Sequence, residues 1–128
     1  MMHRRRVSFV ALALLTITLG LTVHRSGDAL GPAVRDMLGD ALWAIMVCCS
    51  IGALITGRPV LLRSLAALMV CFAVELSQLL HWPALDAVRR TTLGHLVLGS
   101  GFDPRDLVSY ALGVSVAVIL EWSVSRAR

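Results

Sequence analysis

Residues 60–80 read VLLRSLAALMVCFAVELSQLL, an apolar run whose only charged side chains are Arg63 and Glu75. A helix rises 1.5 Å per residue, so a run of this length covers about 30 Å, the hydrocarbon thickness of a bilayer. The stretch therefore predicts a helix that crosses a membrane. Arg63, near its start, can extend toward the lipid headgroups.

Three more apolar runs, residues 7–23, 41–57 and 107–122, have the length of membrane spans. Hydrophobic residues make up 57% of the 128 residues, and only 16% are charged, against about 25% charged in soluble domains. The sequence predicts an all-α fold, a four-helix membrane bundle in one domain over residues 1–128. The short remainder excludes a soluble catalytic domain or a nucleic-acid module, although the pI is about 9.8.

The first run, residues 7–23, is longer than the 7 to 15 apolar residues typical of a signal peptide, so we expect it to be a retained span. The segment 84–100 is too short and too polar to cross the bilayer. It predicts an extra helix between spans three and four, either interfacial or re-entrant, that ends at Gly99.

The distribution of charge predicts that both termini are cytoplasmic. With that orientation seven arginines lie inside and five outside, while all six aspartates lie outside. The inner set is Arg4, Arg5, Arg6, Arg58, Arg63, Arg126 and Arg128.

Several polar residues are expected to converge at the outer end of the bundle. A charged residue in a span costs at least about 2.5 kcal/mol, so Glu75 should face the bundle interior, with Gln78 on the same helix face. Asp40 begins the second span, and Asp106 and Tyr110 begin the fourth. The outer loop adds Asp86, Arg89 and Arg90.

Some of these residues also have a structural interpretation. Glu75 could pair with Arg89 or Arg90 and hold the loop in place. Asp103 and Asp106 could cap the last span. Cys48, Cys49 and Cys71 lie in apolar runs without metal-binding or redox spacing, and His81 and His95 have no partner at helical spacing, so neither a metal site nor a cofactor is expected.

Four segments together resemble a family of small bacterial membrane proteins, domain of unknown function 2809: residues 38–44 (LGDALWA), 72–80 (FAVELSQLL), 82–94 (WPALDAVRRTTLG) and 98–113 (LGSGFDPRDLVSYALG). That family is similar to the VanZ-like proteins, whose pattern maps to Glu75, Gln78, Arg89 or Arg90, Asp106 and Gly113. The resemblance implies a multi-pass protein of the bacterial inner membrane, with relatives linked to glycopeptide-antibiotic tolerance.

Three functions fit this arrangement of residues. In the first, the outer residues bind a phosphate-bearing envelope lipid headgroup, with Arg89 and Arg90 on the phosphate. In the second, Glu75, Asp86 and Asp106 perform metal-assisted or general-base chemistry. In the third, the chain is a proton-coupled carrier that works as an oligomer. The sequence favours binding over catalysis, with membrane lipids or a lipid-linked precursor as partners and no nucleic acid.

Overall fold

The computed structural model describes residues 2–126, and this part of the chain consists of helices and short connections. The predicted inner position of Arg128 falls outside the described residues. The helices are α1 (Met2–Ser26), α2 (Pro32–Leu54), α3 (Val60–Ser77), α4 (Pro83–Arg89), α5 (Thr92–Leu98) and α6 (Pro104–Arg126), with a single 3-10 turn at Gly27–Leu30.

Four of these helices, α1, α2, α3 and α6, are long and apolar enough to cross a membrane. The prediction of an all-α membrane bundle is therefore confirmed. The chain alternates direction, so the start of α2, the end of α3 and the start of α6 meet at one end of the bundle, here called the Glu75 end. The start of α3 and the far part of α6 meet at the opposite end, the Arg63 end.

Helices α2, α3 and α6 form the core of the bundle around Ala44, Ala67, Cys71, Tyr110 and Val114. Several of these side chains are small, which lets the backbones approach closely, as is usual between helices in membranes. The closest approach is at Gly113, where a Cβ atom would lie 2.4 Å from the Ala41 carbonyl oxygen. Helix α1 packs along α2, with the Phe9 ring against Gly52.

The segment between the third and fourth spans differs from the single helix expected over residues 84–100. It forms two short helices, α4 and α5, that separate at Arg90 and Thr91. The Thr91 hydroxyl accepts a hydrogen bond from the Gly94 N–H at 3.0 Å and so begins a new helix. A Cβ on Gly94 would lie 1.8 Å from the Val88 carbonyl oxygen, so this tight turn requires glycine.

Candidate functional site

Glu75 lies in the last turn of α3, and its side chain is fully buried. One carboxylate oxygen, Oε1, accepts the Asp103 backbone N–H at 2.8 Å. The other, Oε2, accepts hydrogen bonds from Gln78 Nε2 at 3.0 Å and from the Tyr110 hydroxyl at 3.1 Å. Three donors, from the residue after α3, from α6 and from the residue before α6, therefore satisfy the carboxylate, and they fasten the end of α3 to the start of α6.

The alternative in which Glu75 pairs with Arg89 or Arg90 is wrong. The guanidinium of Arg89 donates to the carbonyl oxygens of Leu80 at 2.8 Å and Ser77 at 2.5 Å, and it pairs with Asp86 at 3.2 Å. The last carbonyl groups of a helix have no partner within the helix. Arg89 binds that of Ser77, the last residue of α3, and that of Leu80 just after the helix. Glu75 is buried farther inside the bundle, and neutral donors occupy both of its carboxylate oxygens.

Asp40 on α2 and Asp106 on α6 are brought together beside Glu75. Their carboxyl groups lie close to each other and to that of Glu75. The helix cap belongs to Asp103, whose Oδ1 accepts the Arg105 N–H at 2.9 Å.

The structure thus divides the predicted site residues into two groups. One group, which we call the Glu75 cluster, contains Asp40, Glu75, Gln78, Asp106 and Tyr110. Asp86, Arg89 and Arg90 are on α4 and the turn after it, outside this cluster.

Gln78 connects the Glu75 cluster to the chain before α6. Its side chain is 6% exposed and packs against Gly99, whose φ of +65° is a left-handed conformation that favours glycine. A Cβ on Gly99 would lie 2.6 Å from Gln78 Nε2. Gln78 therefore supports the turn that carries Ser100.

A pocket of about 790 Å³ opens at the Glu75 end between the last turns of α1 and the α4–α5 pair. We call it the α1–α4 pocket. Its lining residues are Leu21, His24, Arg25, His81, Asp86, Arg89, Arg90, Thr91, Thr92, His95, Leu96 and Ser100.

The lining of the α1–α4 pocket is cationic. Its one carboxylate, Asp86, pairs with Arg89 and lies 3.9 Å from His81 Nδ1. Arg25 and Arg90 are exposed, and within residues 2–126 neither guanidinium has a hydrogen-bond or ion-pair partner. Sequence reasoning identified Arg90 but missed Arg25. The signal was available, because the end of the first span and the loop before the last span lie on the same side of the membrane.

The Arg63 end holds a buried ion pair that the sequence did not reveal. Arg63 is 6% exposed, donates through Nη2 to Glu121 and through Nε to the Arg58 carbonyl oxygen at 3.0 Å, and lies 5.1 Å from the centre of the Phe9 ring. The extension of Arg63 to the headgroups is therefore wrong. Glu121 of α6 pairs with Arg63 inside the bundle. A charged side chain can stay buried where a partner of opposite charge lies beside it.

The part of the chain that the structure describes contains no disulfide and no group of side chains that could hold a metal ion. Cys48, Cys49 and Cys71 are free thiols. Across residues 2–126, no three His, Cys, Asp or Glu side chains come together in a way that could hold a metal ion.

The comparisons with known proteins identify the family. No solved structure matches the chain. A family model described as "Protein of unknown function (DUF2809)" matches residues 30–114, which run from just before α2 to the middle of α6 and include every residue of the Glu75 cluster. The similarity to VanZ-like proteins stays a prediction. With two thirds of its length matched, the chain belongs to the DUF2809 family.

Proposed function

We propose that this membrane protein binds a phosphate-bearing lipid headgroup in the α1–α4 pocket. The supporting observation is the charge of that pocket, in which the exposed guanidinium groups of Arg25 and Arg90 have no protein partner within residues 2–126 and the single carboxylate is already paired. Arginine suits phosphate because its planar guanidinium donates two parallel hydrogen bonds.

The hydroxyl groups around the arginines supply further donors. Thr92 and Ser100 line the same pocket, and their side chains can donate to phosphate oxygens that the guanidinium groups leave free. Leu21 and Leu96 give the pocket an apolar side, which fits a molecule that carries both a headgroup and a hydrocarbon tail. A lipid satisfies both parts of this lining.

Arg89 and the Glu75 cluster have a positioning role in this proposal. Arg89 fastens α4 to the residues that end α3, so Arg90, the next residue, is held at the pocket. Glu75 and Gln78 fix the segment between α5 and α6, which carries Ser100 of the pocket, through their contacts with Asp103 and Gly99. The phosphate contact assigned to Arg89 from the sequence therefore moves to Arg25.

In the predicted orientation the pocket lies on the extracytoplasmic side of the bacterial inner membrane. Lipid-linked precursors of envelope synthesis carry phosphate on that side, so they are the ligand class that we propose. The assignment of the pocket to that side depends on the distribution of arginines along the sequence.

Native mass spectrometry with lipid extraction tests the proposal on detergent-purified protein. The wild type is compared with Arg25→Ala/Arg90→Ala, and Arg105→Ala is the control because Arg105 is an exposed arginine at the same end but outside the pocket. We expect the wild type and the control to retain one bound phospholipid or polyprenyl phosphate more than the double variant does. Equal amounts of bulk lipid in all three proteins would refute the proposal.

The proton-coupled carrier is the second candidate, and the proximity of Asp40 on α2 to Asp106 on α6 supports it. Ionisable carboxyl groups within spans are the kind of group that proton-coupled carriers use. The test is pH-dependent flux in proteoliposomes, which Asp40→Asn should abolish. The enzyme hypothesis needs Glu75, Asp86 and Asp106 together, whereas Asp86 lies with Arg89.

A further inference from the structure

A second cavity, much larger than the α1–α4 pocket, lies toward the Arg63 end. It is a groove of about 1560 Å³ between α1 on one side and α2, α3 and α6 on the other. We call it the α1 groove. It exists because α1 packs along α2 and leaves the sides of α3 and α6 uncovered.

The walls of the α1 groove are apolar along most of its length. Helix α1 contributes Phe9, Leu12, Leu15 and Leu19, and α6 contributes Ala117 and Val118. The part of α1 from Phe9 to Leu19 is about 15 Å long, which is half of the bilayer hydrocarbon and the depth of one leaflet. The groove therefore has the length and the lining that one lipid acyl chain requires.

Among the described residues, the ion pair between Arg63 and Glu121 lies inside the groove and leaves its charge balanced. Arg63 lines the groove together with its partner Glu121, and the Phe9 ring covers the guanidinium. An acyl chain would meet a neutral pair there.

The mouth of the groove, in contrast, carries a net positive charge. Arg4, Arg5 and Arg58 line it, their side chains are exposed, and within residues 2–126 none of the three guanidinium groups forms an ion pair or hydrogen bond. Three uncompensated positive charges next to an apolar groove match a molecule with a negative headgroup and a hydrocarbon chain. Basic pockets between membrane helices bind anionic lipid headgroups on this physical basis.

We infer that the α1 groove is a binding site for an anionic diacyl phospholipid. One acyl chain lies along α1, and the phosphate contacts Arg4, Arg5 and Arg58. The site is separate from the proposed headgroup pocket, at the other end of the bundle, and it is formed in part by α1, which lies outside residues 30–114.

The test is a native mass spectrometry titration with phosphatidylglycerol and phosphatidylethanolamine that carry identical acyl chains. Measurements are made in the wild type and in Arg25→Ala/Arg90→Ala, so that binding in the α1–α4 pocket is separated from binding in the α1 groove. In both proteins we expect tighter binding of phosphatidylglycerol. The added substitutions Arg4→Ala, Arg5→Ala and Arg58→Ala should weaken it about fivefold for each arginine removed.

A second variant, Ala117→Trp, tests the acyl-chain part of the site without a change of charge. The indole would fill the groove, so both lipids should bind less tightly. Equal binding of the two lipids by the wild type would overturn the inference, as would a phosphatidylglycerol preference that survives loss of the three arginines. Unchanged lipid binding by Ala117→Trp, or a dimer of the chain that blocks lipid binding, would also overturn it.

Discussion

Replacement of Gly113 by alanine should separate α6 from α2 and disrupt the Glu75 cluster. The added Cβ would lie 2.4 Å from the Ala41 carbonyl oxygen and 3.0 Å from the Ala44 Cβ. Close C···O contacts between helices are about 3.3 to 3.6 Å, so relief requires a shift of about 1 Å. Tyr110 precedes Gly113 by one turn, and its hydrogen bond to Glu75, now 3.1 Å, would lengthen to about 4 Å and be lost.

The expected size of the effect follows from three contributions. Overpacking costs about 1 to 3 kcal/mol, and loss of an interhelical hydrogen bond in a membrane protein costs about 0.6 kcal/mol. Alanine regains up to about 1 kcal/mol because it favours the helix more than glycine does. The free energy of unfolding should therefore fall by about 1 to 3 kcal/mol.

Unfolding in mixed micelles of a mild detergent and sodium dodecyl sulfate, followed by tryptophan fluorescence, measures this change. Trp43 reports on the contact because its ring lies 5.7 Å from that of Tyr110. The control is Gly39→Ala on α2, where a Cβ meets nothing within 4 Å and stability should stay constant or rise. If Gly113→Ala were as stable as this control, the proposed role of the close helix contact would be refuted.

Three further variants test other contacts of the site. Tyr110→Phe removes one donor to Glu75 and should cost about 0.6 to 1.7 kcal/mol in the same unfolding assay, and no change would mean that the hydroxyl is dispensable. Gly94→Ala places a Cβ 1.8 Å from a carbonyl oxygen of α4, so limited proteolysis should cut the α4–α5 turn faster, and wild-type resistance would contradict the tight turn. Arg89→Ala removes hydrogen bonds from a charged group to two carbonyl oxygens and should lower the free energy of unfolding by about 1.5 to 3 kcal/mol. The adjacent, exposed Arg90→Ala should change it by no more than about 0.5 kcal/mol. Equal effects of the two arginine variants would argue against a buried anchoring role for Arg89.

The positions of the site residues were predictable where they follow from one helix face or from one end of the bundle. Glu75 and Gln78 are three residues apart at the end of α3, so helical periodicity places both on the buried face. The alternation of spans likewise brings Asp40 and Asp106 to the same end as Glu75. The partner of each group was not predictable in this way. Arg89 was expected on a phosphate and instead fastens α4 to the end of α3.

The sequence by itself determined the membrane class, the four long helices and the end at which the polar side chains gather. Those properties depend on the length and hydrophobicity of local runs, which every span carries within its own residues. Only the tertiary structure decided that Arg63 meets Glu121, that the extra segment folds into two helices, and that α1 leaves a groove open. These features depend on which surfaces of segments far apart in the sequence come into contact. Side-chain packing between the helices determines those contacts.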